Sequence, residues 1–383
     1  MQLDRRGFLG LGASALALAS LPKFALAATG HASTRFLLVL LRGGLDGLHA
    51  LQVPGDPAYA VLRGDFVAGK GQPQSLRLDS DFALHGALGF MAGLHAQQQL
   101  LPVVAVAPPY RQRSHFEAQD CVENGNSGSG GGTGWLNRCV AALPGGKGLA
   151  ISAVMPLAMR GQGDVGTWSP PLGGRIDPIL WQQLQLLYAA DPALASTFAE
   201  IDTGKEGMRA GNGGSLRLPQ AMAAAARFMA AADGPRIGFV EDTGWDTHGG
   251  ELGVLDRKLA ELDAGIRAFH DGAQPIWANT VVAVVTEFGR TAAINGTGGT
   301  DHGTGGVSFL AGGAVNGGKV AGQWPGLGKQ QLNEGRDVLA TTDMRGLFKG
   351  VLHDHLHLAS ATLARTVFPD SAAVPALPGL LRA

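Results

Sequence analysis

The sequence predicts an α/β protein built on a doubly wound, mainly parallel sheet with a helical insertion. Three observations predict it. Short apolar runs recur along the chain and end abruptly in glycine or polar residues, as buried strands do. Their apolarity is continuous rather than alternating, which suits parallel strands covered on both faces. Helical patterns lie between them, and strands alternating with helices argue for a wound sheet.

The elements follow in chain order. Residues 1–27 read as an address rather than as part of the fold: Arg5 and Arg6 precede Phe8-Leu9, a moderately apolar stretch, Lys23 and an Ala25-x-Ala27 cleavage pattern. This looks like a twin-arginine export signal. It makes the twin-arginine translocation machinery an expected partner, starts the mature domain near Ala28 and places the product in the periplasm or outside the cell. The apolar run between Phe8 and Leu21 is shorter than the roughly 20 residues that span a bilayer, so no stable membrane span is expected. The rest, 28–383, is expected to be a single domain.

Within it, "RFLLVLL" (35–41), "LLPVVAVA" (100–107), "RIGFVE" (236–241), "NTVVAVVT" (279–286) and "VSFLAGG" (307–313) are the expected strands. The stretch "NGNSGSGGGTG" (124–134) is a loop, and two helical stretches joined by "DTGKEGMRAGNGGS" form the insertion over about 176–233. Leu252, Leu255, Leu259, Leu262, Ile266 and Phe269 make one apolar helical stripe with charges opposite. A last helix is expected over 344–368, where His353 and His357 share a solvated face and His355 lies between them.

Composition narrows the function classes. A 383-residue chain that is 45% hydrophobic and 16% charged supports a large core. Its net charge of −1 lacks the basic footprint that nucleic acid requires. The 59 glycines have no Gly-X-Y period, so they point to glycine-lined loops around a scaffold and not to collagen. No repeat of solenoid or propeller length is present. Cys121 and Cys139 fit a bridge or two buried thiols equally well, and they lack zinc-finger spacing.

In open α/β sheets ligands bind beyond the carboxyl ends of strands, and polar groups gather after these apolar runs. "RFLLVLLRGGLDG" delivers Asp46, and "VVAVAPPYRQRSHFEAQD" leads to Ser114. "RIGFVEDTGWDTHGG" delivers Asp246 and His248. "VVAVVTEFGRT" delivers Glu287 and Arg290, with Asp301-His302 just beyond. Carboxylates and imidazoles are ligands for divalent cations, here zinc, manganese or calcium, and adjacent glycine permits tight turns. Each residue has a plainer use. Ser114 with Glu117 spells a capping box. Asp46 suits a turn, Asp246 and Thr247 suit a helix cap, and Glu287 with Arg290 suits an ion pair.

"LRGGLDGLHALQVPGDPAY", "RSHFEAQD", "GWDTHGG", "TEFGRT" and "NGTGGTDHGTGG" together resemble the signatures of the family called domain of unknown function 1501. That family is similar in turn to the alkaline phosphatase and sulfatase superfamily, whose members use a doubly wound sheet, divalent metals and a hydroxyl or related nucleophile. The resemblance implies that Asp46 matches the first metal aspartate and Ser114 the nucleophile. It implies that Asp246 and His248 match a metal Asp and His, Glu287 the acid of the later strand end, and His302 the last metal histidine. The chain departs from the phosphatase pattern at Glu287-Phe288, where that pattern has Asp-His.

The expected function is an exported metal-dependent hydrolase of small anionic phosphate or sulfate esters. Ser114 would serve as nucleophile and Arg290 as a clamp on a substrate oxygen. The alternative is a non-catalytic periplasmic binding or structural protein that keeps the fold and a metal.

Overall fold

The computed structural model describes residues 34–67, 73–170 and 216–382. The export signal, and the expected insertion up to residue 215, lie outside the described residues. Among the described residues eleven strands form: β1 (Arg35–Leu41), β2 (Leu51–Gln52), β3 (Leu76–Arg77), β4 (Ala83–Leu84), β5 (Leu100–Ala107), β6 (Lys147–Ile151), β7 (Asp164–Trp168), β8 (Ile237–Asp242), β9 (Thr280–Thr286), β10 (Gly306–Ala311) and β11 (Thr342–Asp343). Eight of them make one sheet in the order β11-β5-β10-β9-β1-β8-β6-β7, and β2-β4-β3 make a small antiparallel ribbon.

β1 sits between β8 and β9 and is parallel to both. All seven of its residues are buried, because each face of the strand meets a different layer of helices. Leu37, Val39 and Leu41 join a core with Leu255, Leu259, Leu262 and Ile266 of the helix Glu251–Gly272 and with Leu218 and Met222 of the helix Leu218–Met229. Phe36, Leu38 and Leu40 join a second core with Trp135 and Leu136 of the helix Trp135–Ala142 and with Leu347 and Phe348 of the helix Met344–Leu356. Alternation along the strand thus feeds two cores, each such side chain contributing about 1.5–3 kcal/mol by burial. This is the doubly wound, mainly parallel sheet the apolar runs predict.

Two details differ from the sequence reading. β10 is continuously apolar like its neighbours, yet it runs antiparallel to both β5 and β9. The chain from Thr286 to Gly306 contains no helix to carry it back across the sheet, and without a crossover the next strand must return in the opposite sense. The C-terminal helix also stops early. Leu356 is its last residue and His357 takes the left-handed conformation, φ 57°, as its cap. His353 and His357 therefore share no helical face. His355 is buried rather than solvated, with Nε2 2.9 Å from the Arg35 carbonyl oxygen, and burial pushes its pKa down to about 4.

Cys121 and Cys139 are buried free thiols. Burial pushes the Cys121 thiol up to about 11 and raises Cys139 as well, so both sit as small core residues. Among the described residues no helix is long and apolar enough to cross a membrane.

Candidate metal centre

The carboxyl ends of β1, β5, β8 and β9 fall on one edge of the sheet, and β10, running the other way, brings its amino end there. Five loops consequently meet: 42–46, 108–115, 243–250, 287–290 and 301–305. Glycine permits their close approach. Gly43 has φ +123° and packs on the backbone of Trp245 and Asp246, where a Cβ would collide with the Asp246 amide nitrogen. Gly299 packs equally closely on the His248 backbone. The glycine-rich sequence around Asp301 and His302 is what lets one loop lie against the other.

Three imidazoles and one carboxylate converge where these loops meet. His115 Nε2 and His302 Nε2 are 3.0 Å apart, and so are His248 Nε2 and His302 Nε2. Asp246 Oδ1 lies 3.0 Å from His248 Nε2 and 3.2 Å from His302 Nε2, while its Oδ2 lies 3.4 Å from His115 Nε2. Metal–nitrogen bonds of about 2.0–2.1 Å set neighbouring ligand atoms about 2.8 Å apart in an octahedron and about 3.4 Å apart in a tetrahedron. These five separations fall in that interval, and His115, Asp246 and His302 form a set whose ligand atoms all lie within 4.8 Å of one another, with His248 outside that set.

The far side of each ring fixes what its near side offers. His115 Nδ1 is 2.8 Å from Glu287 Oε1, His302 Nδ1 is 3.1 Å from the Arg113 carbonyl oxygen, and His248 Nδ1 is 3.4 Å from Asp301 Oδ1. All three partners are acceptors, so each Nδ1 carries a hydrogen and each neutral ring presents the Nε2 lone pair inward. Three lone pairs and a carboxylate facing one point repel unless a cation lies between them, and the donor set therefore fits a divalent metal. The hydrogen bond to Glu287 raises the His115 pKa above its ordinary value, whereas burial lowers that of His302. Burial alone would raise the Asp246 carboxyl, but Arg290 beside it holds it below the usual carboxylate range.

The residues singled out in the sequence divide into those at this point and those behind it. Asp246, His248 and His302 face it. Glu287 is fully buried and stands behind His115, accepting also from the Gly43 amide at 2.7 Å and from Gln119 Nε2 at 2.9 Å. Asp301 stands behind His248. Arg290 makes no ion pair with Glu287. It bonds Asp246 Oδ1 at 2.6 Å and the carbonyl oxygens of Gly43, Gly44, Trp245 and Thr300. With its side chain fully buried, it ties four loop carbonyls and the Asp246 carboxylate together and is not placed to clamp a substrate oxygen.

Asp46 is not brought to the centre. It caps the short helix Gly47–Ala50 through the Leu48 amide and is ion-paired with the fully buried Arg63. Ser114 is the N-cap of the helix His115–Asn124 but makes no side-chain cap bond, its hydroxyl interacting with Glu117 and Tyr110 instead. Asp246 caps no helix, since Gly250 occupies that position before Glu251. His115 is the residue sequence reasoning missed. The signal was present in "RSHFEAQD", a histidine at the first turn of a helix that follows a strand end, directly after the serine chosen for its hydroxyl.

A second His–Asp group lies at the edge of the ribbon. His49 and His85 are fully buried, with Nε2 atoms 3.4 Å and 3.2 Å from Asp256 Oδ1. Here His85 Nδ1 accepts the Ala87 amide hydrogen at 3.2 Å, which places the ring hydrogen on Nε2, an atom that lies near the carboxylate but makes no hydrogen bond to it. Ligation through that nitrogen would set an Nδ1 hydrogen against the Ala87 amide hydrogen, and His49 Nδ1 has no partner at all. This donor set does not fit a metal. Burial and the neighbouring His49 push the His85 pKa down to about 4.

The model of the family described as protein of unknown function (DUF1501) matches residues 184–367, the stretch that carries Asp246, His248, Glu287, Arg290, Asp301 and His302. The resemblance read from those motifs holds there. No curated protein matches the chain. Among solved structures, the chain is similar to Ps i-CgsB in complex with k-i-k-neocarrahexaose (10% identity, TM-score 0.38, covering 73% of this chain and 65% of that one). It therefore spans just under two thirds of that protein's length. It is similar also to the PsFucS1 sulfatase from Pseudoalteromonas sp. (11% identity, TM-score 0.43, 91% of this chain and 74% of that one). A third is the alkaline phosphatase from the Antarctic bacterium TAB5 (10% identity, TM-score 0.36, 73% and 91%).

Proposed function

We propose that the protein is an exported, metal-dependent hydrolase of phosphate or sulfate esters, with one divalent cation held by His115, Asp246, His302 and His248. The convergence of three Nε2 lone pairs on the Asp246 carboxylate carries this reading. A cation bound there would supply Lewis acidity toward an ester oxygen and lower the pKa of a water or hydroxyl. The protein's own part is to fix the ligands: Glu287, Arg113 and Asp301 hold the ring tautomers, and Arg290 holds Asp246. Asp246 and His248 remain about half exposed, so an ester can reach the centre. The export part of the reading rests on the Arg5-Arg6 signal pattern.

The remaining carboxylates favour one ion over two. Asp46 is engaged by Arg63, Glu287 by His115, Gln119 and Gly43, and Asp301 by Asn295, so none is free to hold a second cation.

Elemental analysis of the dialysed protein, followed by turnover of aryl phosphates, aryl sulfates and phosphodiesters, tests the reading. Near-stoichiometric metal and metal-dependent turnover that disappears in Asp246→Ala are expected. Bound metal without turnover across the panel would favour a non-catalytic binding protein, and no metal at all would remove the hydrolase reading. Ser114→Ala separates two sources of the nucleophile. Loss of turnover with metal retained assigns it to the serine hydroxyl, and unchanged turnover assigns it to water.

A further inference from the structure

We infer that His248 is the exchangeable ligand of this centre: His115, Asp246 and His302 hold the ion, and His248 gives up its place to an oxygen of the anionic substrate. The inference rests on the metal-dependent reading above and concerns how the site opens. Catalytic centres keep a position for substrate, whereas four firm protein ligands close a site into a structural one. Around a four-coordinate ion these four groups would fill every position, so substrate would reach it only if one of them yielded.

The structure distinguishes His248 from the others on three counts. One ligand atom from each of His115, Asp246 and His302 lies within 4.8 Å of the others, a set complete without His248. The rings are also held unequally. Glu287, behind His115 at 2.8 Å, is fully buried, and the Arg113 carbonyl holds His302 at 3.1 Å. Asp301, behind His248, is at 3.4 Å and has 51% of its side chain exposed. A long hydrogen bond to a solvated carboxylate restrains a ring weakly. Packing repeats the order. Phe288, itself buried, lies 4.8 Å from the His115 ring and 4.9 Å from the His302 ring, whereas among the described residues the aromatic contact of the His248 ring is with His302, at 4.7 Å. Accordingly the His248 side chain is 46% exposed against 25% for each of the other two.

Arg113 shows how firmly the opposite side is built. Its backbone takes φ 63°, a conformation that costs a side-chain-bearing residue energy, and its guanidinium is anchored to Glu334 and to the buried Asp337 at 2.8 and 3.0 Å. The strain aims the carbonyl at His302. At His248 the anchors are on the backbone, whose carbonyl accepts from Asn295 Nδ2 at 2.9 Å and Thr297 Oγ1 at 2.7 Å, while the ring itself has the 3.4 Å bond to Asp301. The exchange is balanced: the bond from His248 Nε2 breaks, one from a substrate oxygen forms, and the imidazole leaves neutral with its Nδ1 hydrogen in place.

The test uses the protein loaded with cobalt(II), whose coordinated histidines give separate, strongly shifted proton resonances for their Nδ1 hydrogens. Inorganic phosphate is the probe, its binding followed by broadening of its phosphorus signal. The wild type should show three such resonances alone and two with saturating phosphate. His248→Ala should show two in both states and retain near-stoichiometric cobalt, whereas His302→Ala should retain none. Three resonances persisting with phosphate bound, no phosphate binding, or loss of cobalt from His248→Ala as complete as from His302→Ala would overturn the exchange while leaving the metal reading intact. Failure of the wild type to bind cobalt would remove both.

Discussion

Two groups of histidines around an aspartate lie in this molecule, and they are built from the same parts to opposite effect. In the group at the sheet edge, His115, His248 and His302 each turn Nδ1 to an oxygen acceptor, which leaves three lone pairs facing inward beside Asp246. In the group at the ribbon, His85 turns Nδ1 to the Ala87 amide, which leaves its ring hydrogen on Nε2 without a hydrogen-bond partner, and His49 Nε2 is the ring nitrogen bonded to Asp256. The first group fits a cation. The second is a latch in which His49 ties the helix Glu251–Gly272 to the short helix Gly47–Ala50. The partner of the nitrogen that faces away decides which kind of site a histidine makes, and a count of nearby ligand residues does not.

The largest expected effect separates the two groups outright. His302→Ala should drop bound metal from near one equivalent to background, and His85→Ala should leave it unchanged, both read by elemental mass spectrometry after dialysis. Equal loss in the two variants would mean that the latch also holds an ion.

Acid should act on the second group and on the buried His355 of the helix Met344–Leu356. His85 and His355 have folded pKa values of about 4 against 6.5 for a free histidine, so the unfolded chain binds protons first as pH falls. Their contribution is fully present above about pH 6.5 and is lost as pH falls toward 4, by up to about 3 kcal/mol for each. Urea unfolding across that range should show the decline, with a shallower slope in His85→Gln. A profile that stays flat to pH 4 would show that these rings are not held neutral.

A smaller change probes the groups behind the ligands. Glu287→Gln keeps the size of the side chain and removes the negative charge facing His115 Nδ1, and it should weaken metal affinity by about 10–100-fold. Asp256→Asn makes the matching change at the latch and should lower the thermal midpoint without altering metal affinity. Competition with a chromophoric chelator measures the first and calorimetry the second. An unaltered affinity in Glu287→Gln would mean that Glu287 is not needed to orient His115.

The strands were legible because a continuous apolar run has few ways to be buried. The runs 35–41 and 100–107 became β1 and β5 at the expected boundaries. The helical stripe through Leu255, Leu259, Leu262, Ile266 and Phe269 is likewise the buried face of its helix. The direction of β10 was not legible, because apolarity reports burial and not the sense of the chain. The end of the last helix was not legible either, since "HLHLAS" contains neither glycine nor proline and His357 itself takes the left-handed turn.

By itself the sequence determined which loops are rich in carboxylate, imidazole and glycine, and that they follow strand ends, because those features are local. Only the tertiary structure decided which of those groups face one another. His115 meets Glu287 and His302 across 172 and 187 positions of chain, and Asp46 turns instead to Arg63, 17 positions away. Spacing along a sequence records neighbours on one strand end or one helix. Which nitrogen of a ring faces an acceptor, and which carboxylate already has a cation, is settled by the packing of distant loops.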